Sequence, residues 1–94
     1  MSDAFWMHEA LAQAALAMQH GEVPVGAVIV HHPKGQSPKR LAAGYNQPII
    51  SHDPSMHAEL VAIRNACQKL QNYRLNDVVL YTTLAPCMMC WGAI

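Results

Sequence analysis

The sequence predicts an α/β fold, a mixed sheet with helices packed on both faces, from three observations. Hydrophobic spacing switches between helical and extended periods in the order helix, strand, strand, helix, strand, helix. The run at residues 25–30 is apolar without interruption and rich in β-branched side chains, as a strand covered on both sides requires. The chain is 94 residues long, 52% hydrophobic and 13% charged, which suits one domain over 1–94 with a single core. A chain of this size buries only about 60–65% of its unfolded surface, so a bound metal or a partner subunit would add appreciably to its stability.

Residues 3–20 read as the first helix. Met7, Leu11, Ala14 and Met18 recur at helical spacing, alanines raise the helix propensity, and Gly21 supplies a left-handed stop. Trp6 and Met7 are expected in the core. After the strand at 25–30, the segment 31–40 holds two prolines, a glycine and three basic residues. It reads as a long solvated hairpin loop leading into a weaker strand at 41–45. Residues 46–55 contain Pro48 and Pro54 and read as irregular, with Asp53 as a capping residue and Pro54 at the first helical position. The second helix then runs to about Asn72, with Leu60, Ile63, Cys67 and Leu70 as its buried stripe and Arg64, Gln68 and Gln71 toward water. A third strand is expected over 78–82, and Pro86 opens a last helix of barely two turns.

Six Lys and Arg balance six Asp and Glu, so the net charge shows no long-range field that would draw the chain onto a polyanion. The first residues carry Asp3 and Glu9 and no basic stretch before an apolar segment, unlike a secretion signal. The uncharged stretch toward the end is broken by Thr82, Thr83 and Pro86, which argues against a membrane span. Three cysteines, two of them three positions apart, favour metal binding over a disulfide framework and place the protein in the reducing cytoplasm.

The chemistry is concentrated in His57-Ala58-Glu59 and, after a strand, Pro86-Cys87-Met88-Met89-Cys90. Cys87 and Cys90 on a first helical turn place two sulfurs on one face, close enough to share a tetrahedral Zn²⁺. The amide end of that helix favours thiolate. His57 and Glu59 would lie about 200° apart inside a helix, so they can converge only off its end. His57, Cys87 and Cys90 then make three ligands and leave a fourth position for water, whose pKa the metal lowers to about 7. Glu59 is the expected proton carrier, moving a proton from that water to the ring nitrogen beside the attacked carbon and later to the departing ammonia. A cysteine pair at this spacing also occurs as half of a structural zinc site. The remaining histidines, His8, His20, His31, His32 and His52, read as surface residues, and Cys67 as a small buried thiol.

Together, H-x-E followed by P-C-x-x-C resembles the signature of the zinc nucleobase deaminases. Val23-Pro24-Val25-Gly26-Ala27, Asn46 with Pro48-Ile49, His52-Asp53-Pro54-Ser55 and Asn72-Tyr73-Arg74-Leu75 extend the likeness over nearly the whole chain, which is similar to bacterial tRNA-specific adenosine deaminases. The resemblance implies a cytidine deaminase-like α/β/α sandwich, a homodimer, and conversion of adenosine to inosine at the wobble position of a tRNA anticodon loop. It also implies that Asn46 and the backbone of Ala58 hold the flipped base, beside apolar residues such as Val28. Where that family reads Thr-Leu-Glu-Pro-Cys this chain has Thr83-Leu84-Ala85-Pro86-Cys87, so a carboxylate beside the metal is replaced by a methyl group. Family members continue past the Cys-x-x-Cys helix, so the fold is expected to be incomplete at the C-terminus. A deaminase of free cytosine, guanine or dCMP would keep the same metal site. A fragment that retains zinc only as a structural clip is the reading from another class.

Overall fold

The computed structural model describes residues 2–72, 74–84 and 88–94. In chain order the elements are α1 (Asp3–Gln19), β1 (Gly26–His31), β2 (Lys39–Tyr45), α2 (Pro48–Ser51), α3 (Ala58–Leu70), β3 (Val78–Thr82) and α4 (Met88–Ala93). The strands form one sheet in the order β2-β1-β3, with β1, apolar from Gly26 to Val30, at its centre. Both pairings are antiparallel, so the parallel pairing that a mixed sheet needs is not formed among these three strands. β1 pairs with β2 from Gly26↔Tyr45 to Ile29↔Ala42, then shifts so that Val30 faces Arg40, which leaves Leu41 as the extra residue of a bulge. Lys39 and Arg40 therefore belong to the strand, which an exposed edge tolerates.

Alternation along β1 divides the core in two. Ala27 and Ile29 join Val25, Ala42 and the helix residues Ala58, Ala62 and Ala66 on one face. Val28 and Val30 join Trp6 and Ala10 on the other. Helices thus cover both faces, α3 on one and α1 on the other, as the predicted three-layer arrangement requires.

Glycines let both helices approach closely. A Cβ on Gly26 would overlap the Ala10 carbonyl and come within 2.5 Å of the Ala14 amide; one on Gly44 would lie 2.6 Å from the Ala58 carbonyl and 2.7 Å from the Ala62 amide. This close approach explains a correction to α1. Its buried residues are Trp6, Ala10, Ala14 and Ala17, while Leu11 and Met18 are exposed and Met7 is only partly buried. Small side chains, not the largest apolar ones, fit against a glycine. At its ends α1 behaves as expected. The Ser2 hydroxyl accepts from the Phe5 amide, and Gly21 takes φ +74° to end the helix.

The second predicted helix is corrected at both ends. It starts at Ala58 and not at Pro54, because Asp53 closes a local turn by accepting from the Ser55 amide (2.9 Å) and hydroxyl (2.7 Å). It stops at Leu70, with Gln71 in the left-handed region at φ 52°. Ala58 to Ala62 and Ala66 are buried, whereas Ile63 and Cys67 are half-buried and Leu70 is at the surface. Part of the segment read as irregular forms the single-turn α2. The start predicted for the last helix at Pro86 lies outside the described residues. Among those described, no helix is long and apolar enough to cross a membrane.

Candidate active site

His57 is the residue before α3, in extended conformation (φ −73°, ψ 154°), and its carbonyl accepts the first helical bond from Val61. Standing outside the helix, its ring makes no capping bond to α3 and is released from the 3.6-residue period that separates it from Glu59. The His57 Nδ1 atom lies 3.6 Å from Sγ of Cys90, which sits on α4 and is fully buried. With metal distances of about 2.3 Å to sulfur and 2.0–2.1 Å to nitrogen, one edge of a tetrahedral zinc site measures about 3.5 Å. The pair is therefore spaced as two ligands of one Zn²⁺. Among the described residues no third His, Cys, Asp or Glu completes a metal-binding group; Cys87, the third expected ligand, lies outside them, as do Ala85 and Pro86.

Glu59 is in the first turn of α3 and only 4% exposed. Its carboxylate bonds to no other described residue, which leaves it suited to meet water or substrate. A buried carboxylate with no structural bond to maintain is chemically suited to proton transfer.

Asn46 and Ala58, expected to hold a base, are joined to one another. The Asn46 Oδ1 atom accepts from the Ala58 amide at 2.9 Å, and the Asn46 amide donates to the Val25 carbonyl at 3.1 Å. Asn46 thereby caps α3 from a different segment. The Ala58 amide is already engaged, which leaves the Asn46 Nδ2 donors for a ligand.

Val28 requires correction. It is fully buried against Trp6 and Ala10 on the α1 face, while Ala58 lies on the α3 face. Two-residue alternation separates it from the site, and Val25, which shares the cluster containing Ala58, is the apolar residue placed there instead. Alternation counted from Gly26, the α1-facing contact, could have revealed this.

Sequence reasoning also missed Glu22. Its carboxylate is 5% exposed and accepts from the Ile49 amide (3.1 Å) and the Ile50 amide (2.7 Å) at the start of α2. Its partners are backbone amides 27 and 28 positions away, which leave no sequence signal. Across the same loop the Gln47 amide donates to the Met56 carbonyl. Asp53 has its carboxyl held below the usual carboxylate range by the Ser55 hydroxyl, then the Ser55 amide, with a smaller contribution from Arg64 at 4.0 Å.

An α/β/α layering with a histidine and a buried cysteine at zinc-ligand spacing, and two residues on a buried carboxylate bonded to no other described residue, fits a zinc-site domain of the deaminase class. Residues 1–94 match the cytidine and deoxycytidylate deaminase zinc-binding region, and the chain belongs to that family, whose metal is zinc. Among its relatives are the tRNA-specific adenosine deaminases of Buchnera aphidicola subsp. Schizaphis graminum, 45% identical over 98% of this chain and 58% of the relative, and of Haemophilus influenzae, 46% identical over 94% and 49%. The chain thus spans about half the length of the curated relatives it matches. Among solved structures it is similar to a guanine deaminase from Bacillus subtilis (TM-score 0.89, 40% identity, 99% of this chain and 57% of that one). It is also similar to a structure from work on A-to-I editing by tRNA:A34 deaminases at the wobble position of transfer RNA (TM-score 0.86, 39% identity, 96% and 65%).

Proposed function

We propose that this chain carries the site of a zinc-dependent hydrolytic deaminase that converts adenosine to inosine at the wobble position of a tRNA anticodon loop. The observation that carries the chemistry is the 3.6 Å pairing of His57 with Cys90, two residues from the buried Glu59, which bonds to no other described residue. When bound, Zn²⁺ supplies Lewis acidity that makes water nucleophilic near neutral pH. His57, Cys87 and Cys90 hold the metal. Glu59 takes one proton from the attacking water and delivers it to the ring nitrogen beside the carbon under attack, then takes the remaining proton of the hydroxyl now on that carbon and passes it to the amine, which leaves as ammonia as the carbonyl forms. Asn46 offers its Nδ2 donors to the base, and the backbone at Ala58, held by the Asn46 carbonyl, forms the floor beside it. Val25 supplies apolar contact.

The tRNA substrate is supported by the named activity of the relatives and by Asn72-Tyr73-Arg74-Leu75. A single-stranded anticodon loop suits such a pocket, because extruding an unpaired base costs little. The proposal includes a homodimer and a cytoplasmic location. The likeness to a guanine deaminase favours a second reading, deamination of free bases or nucleotides at the same metal site. Ammonia release measured on an anticodon stem-loop and, in parallel, on guanine, cytosine and dCMP separates the two. Turnover of the stem-loop with inosine in the product is expected; turnover confined to free bases would establish the second reading.

A further inference from the structure

The short helix α2 poses a physical question: what holds it? None of its four residues is buried, and Ile49 and Ile50 are 67% and 49% exposed, so apolar packing does not supply the answer. Its tie to the body of the fold is Glu22. Pro48 has no amide hydrogen, and the next two amides, of Ile49 and Ile50, each donate to one oxygen of the Glu22 carboxylate.

Glu22 is itself held in place. The Glu22 amide donates to the Ala17 carbonyl and the Gly21 amide to the Met18 carbonyl, with Gly21 at φ +74°. These bonds form a Schellman motif that ends α1. A buried carboxylate on this rigid corner reaches across to the start of α2, two residues beyond Asn46. The loop is closed at its other side by the Gln47–Met56 bond, next to His57.

We infer that Glu22 is a positioning residue for the deamination proposed above, on which this inference rests. It locks α2 in place and so fixes Asn46 and the exposed Ile49 and Ile50 as one wall for the substrate base and its neighbouring nucleotide. Glu22 touches neither the metal nor the base. Its loss acts on substrate affinity and leaves the proton-transfer machinery intact.

The test is Glu22→Gln in the zinc-loaded protein, read by amide hydrogen exchange and by kinetics on an anticodon stem-loop. Exchange at Ile49 and Ile50 should accelerate roughly 10- to 100-fold, the effect of losing charge-assisted bonds. The KM should rise about tenfold, kcat should change less than about threefold, and zinc stoichiometry should hold. A merely structural role would lower the active fraction and so kcat, leaving KM unmoved; that result overturns the inference, as does unchanged exchange at both amides. If Glu22→Gln fails to fold, Glu22→Asp, which keeps the charge and withdraws it by one methylene, is measured with the same expectations. If the unmodified protein does not turn over the stem-loop, the proposed function fails, and exchange alone decides here: lost protection sustains the anchoring by Glu22 and retained protection refutes it.

Discussion

At the scale of single residues, the site depends on which polar groups are committed to the fold and which are not. Asn46 Oδ1 and both oxygens of Glu22 are committed to backbone amides, whereas the Glu59 carboxylate bonds to no other described residue. That contrast favours Glu59 over the equally buried Glu22 for the proton transfer proposed above. Replacing Glu59 with alanine is therefore expected to leave the zinc content unchanged while deaminase turnover falls at least 10²-fold, roughly the contribution of a general acid–base group. Metal analysis alongside a single-turnover assay checks both halves, and retained turnover would remove Glu59 from its role. His57, Glu59 and Cys90 could be singled out in the sequence because side-chain type and short spacing carry the chemistry proposed for them, whereas Ala58 came only with the family resemblance. Glu22 was not, since its role lies in backbone amides far along the chain.

At the scale of elements, the helices lie close to the sheet because alanine faces meet glycines. The residues Ala10, Ala14 and Ala17 of α1 and Ala58, Ala62 and Ala66 of α3 are buried, opposite Gly26 and Gly44. An apolar stripe sought among large side chains lands on Leu11 and Met18, which face solvent, because alanine adds little weight to such a pattern. The close contact gives a sharp expectation for Gly44→Ala. Its methyl group would meet the Ala58 and Ala62 backbone at 2.6–2.7 Å, where no side chain can move aside, and the displacement would push on Ala58 and carry the fault into the site. We expect a loss of about 3 kcal/mol or more and a Tm lower by more than about 12 °C, measured by thermal unfolding. The control is Gly35→Ala. Gly35 has φ +80° and no atom within 4 Å of where the added methyl group would sit, so this change carries only backbone strain of about 1 kcal/mol.

At the scale of the whole molecule, the His57–Cys90 pairing brings the start of α3 against α4, elements that are joined along the chain through β3. A small domain gains much from such a link, because metal bound only in the folded state adds its binding free energy to stability. Chelation should lower the Tm, and restored zinc should raise it with the logarithm of free metal, by about 2.7 kcal/mol at a hundredfold excess over Kd. Cys90→Ser should abolish that dependence. A melting temperature indifferent to chelator would mean that His57 and Cys90 do not share a metal. Six Lys and Arg against six Asp and Glu leave these 94 residues without a net charge to draw a polyanion onto them.

Residue type at short spacing was enough to specify the order of the elements other than α2, a strand with both faces covered, and a zinc chemistry. Contacts between distant segments set where α3 begins, and with it how His57 leaves the helix to meet Cys90, since Asn46, 12 positions back, accepts from the Ala58 amide at the helix start. Such contacts also place Val25 and not Val28 beside Ala58, and make Glu22 the anchor of α2. One cause underlies all three outcomes. A face of a strand or the acceptor of a buried amide is chosen by whatever the fold brings alongside, and those neighbours lie too far along the chain for any local pattern to name them.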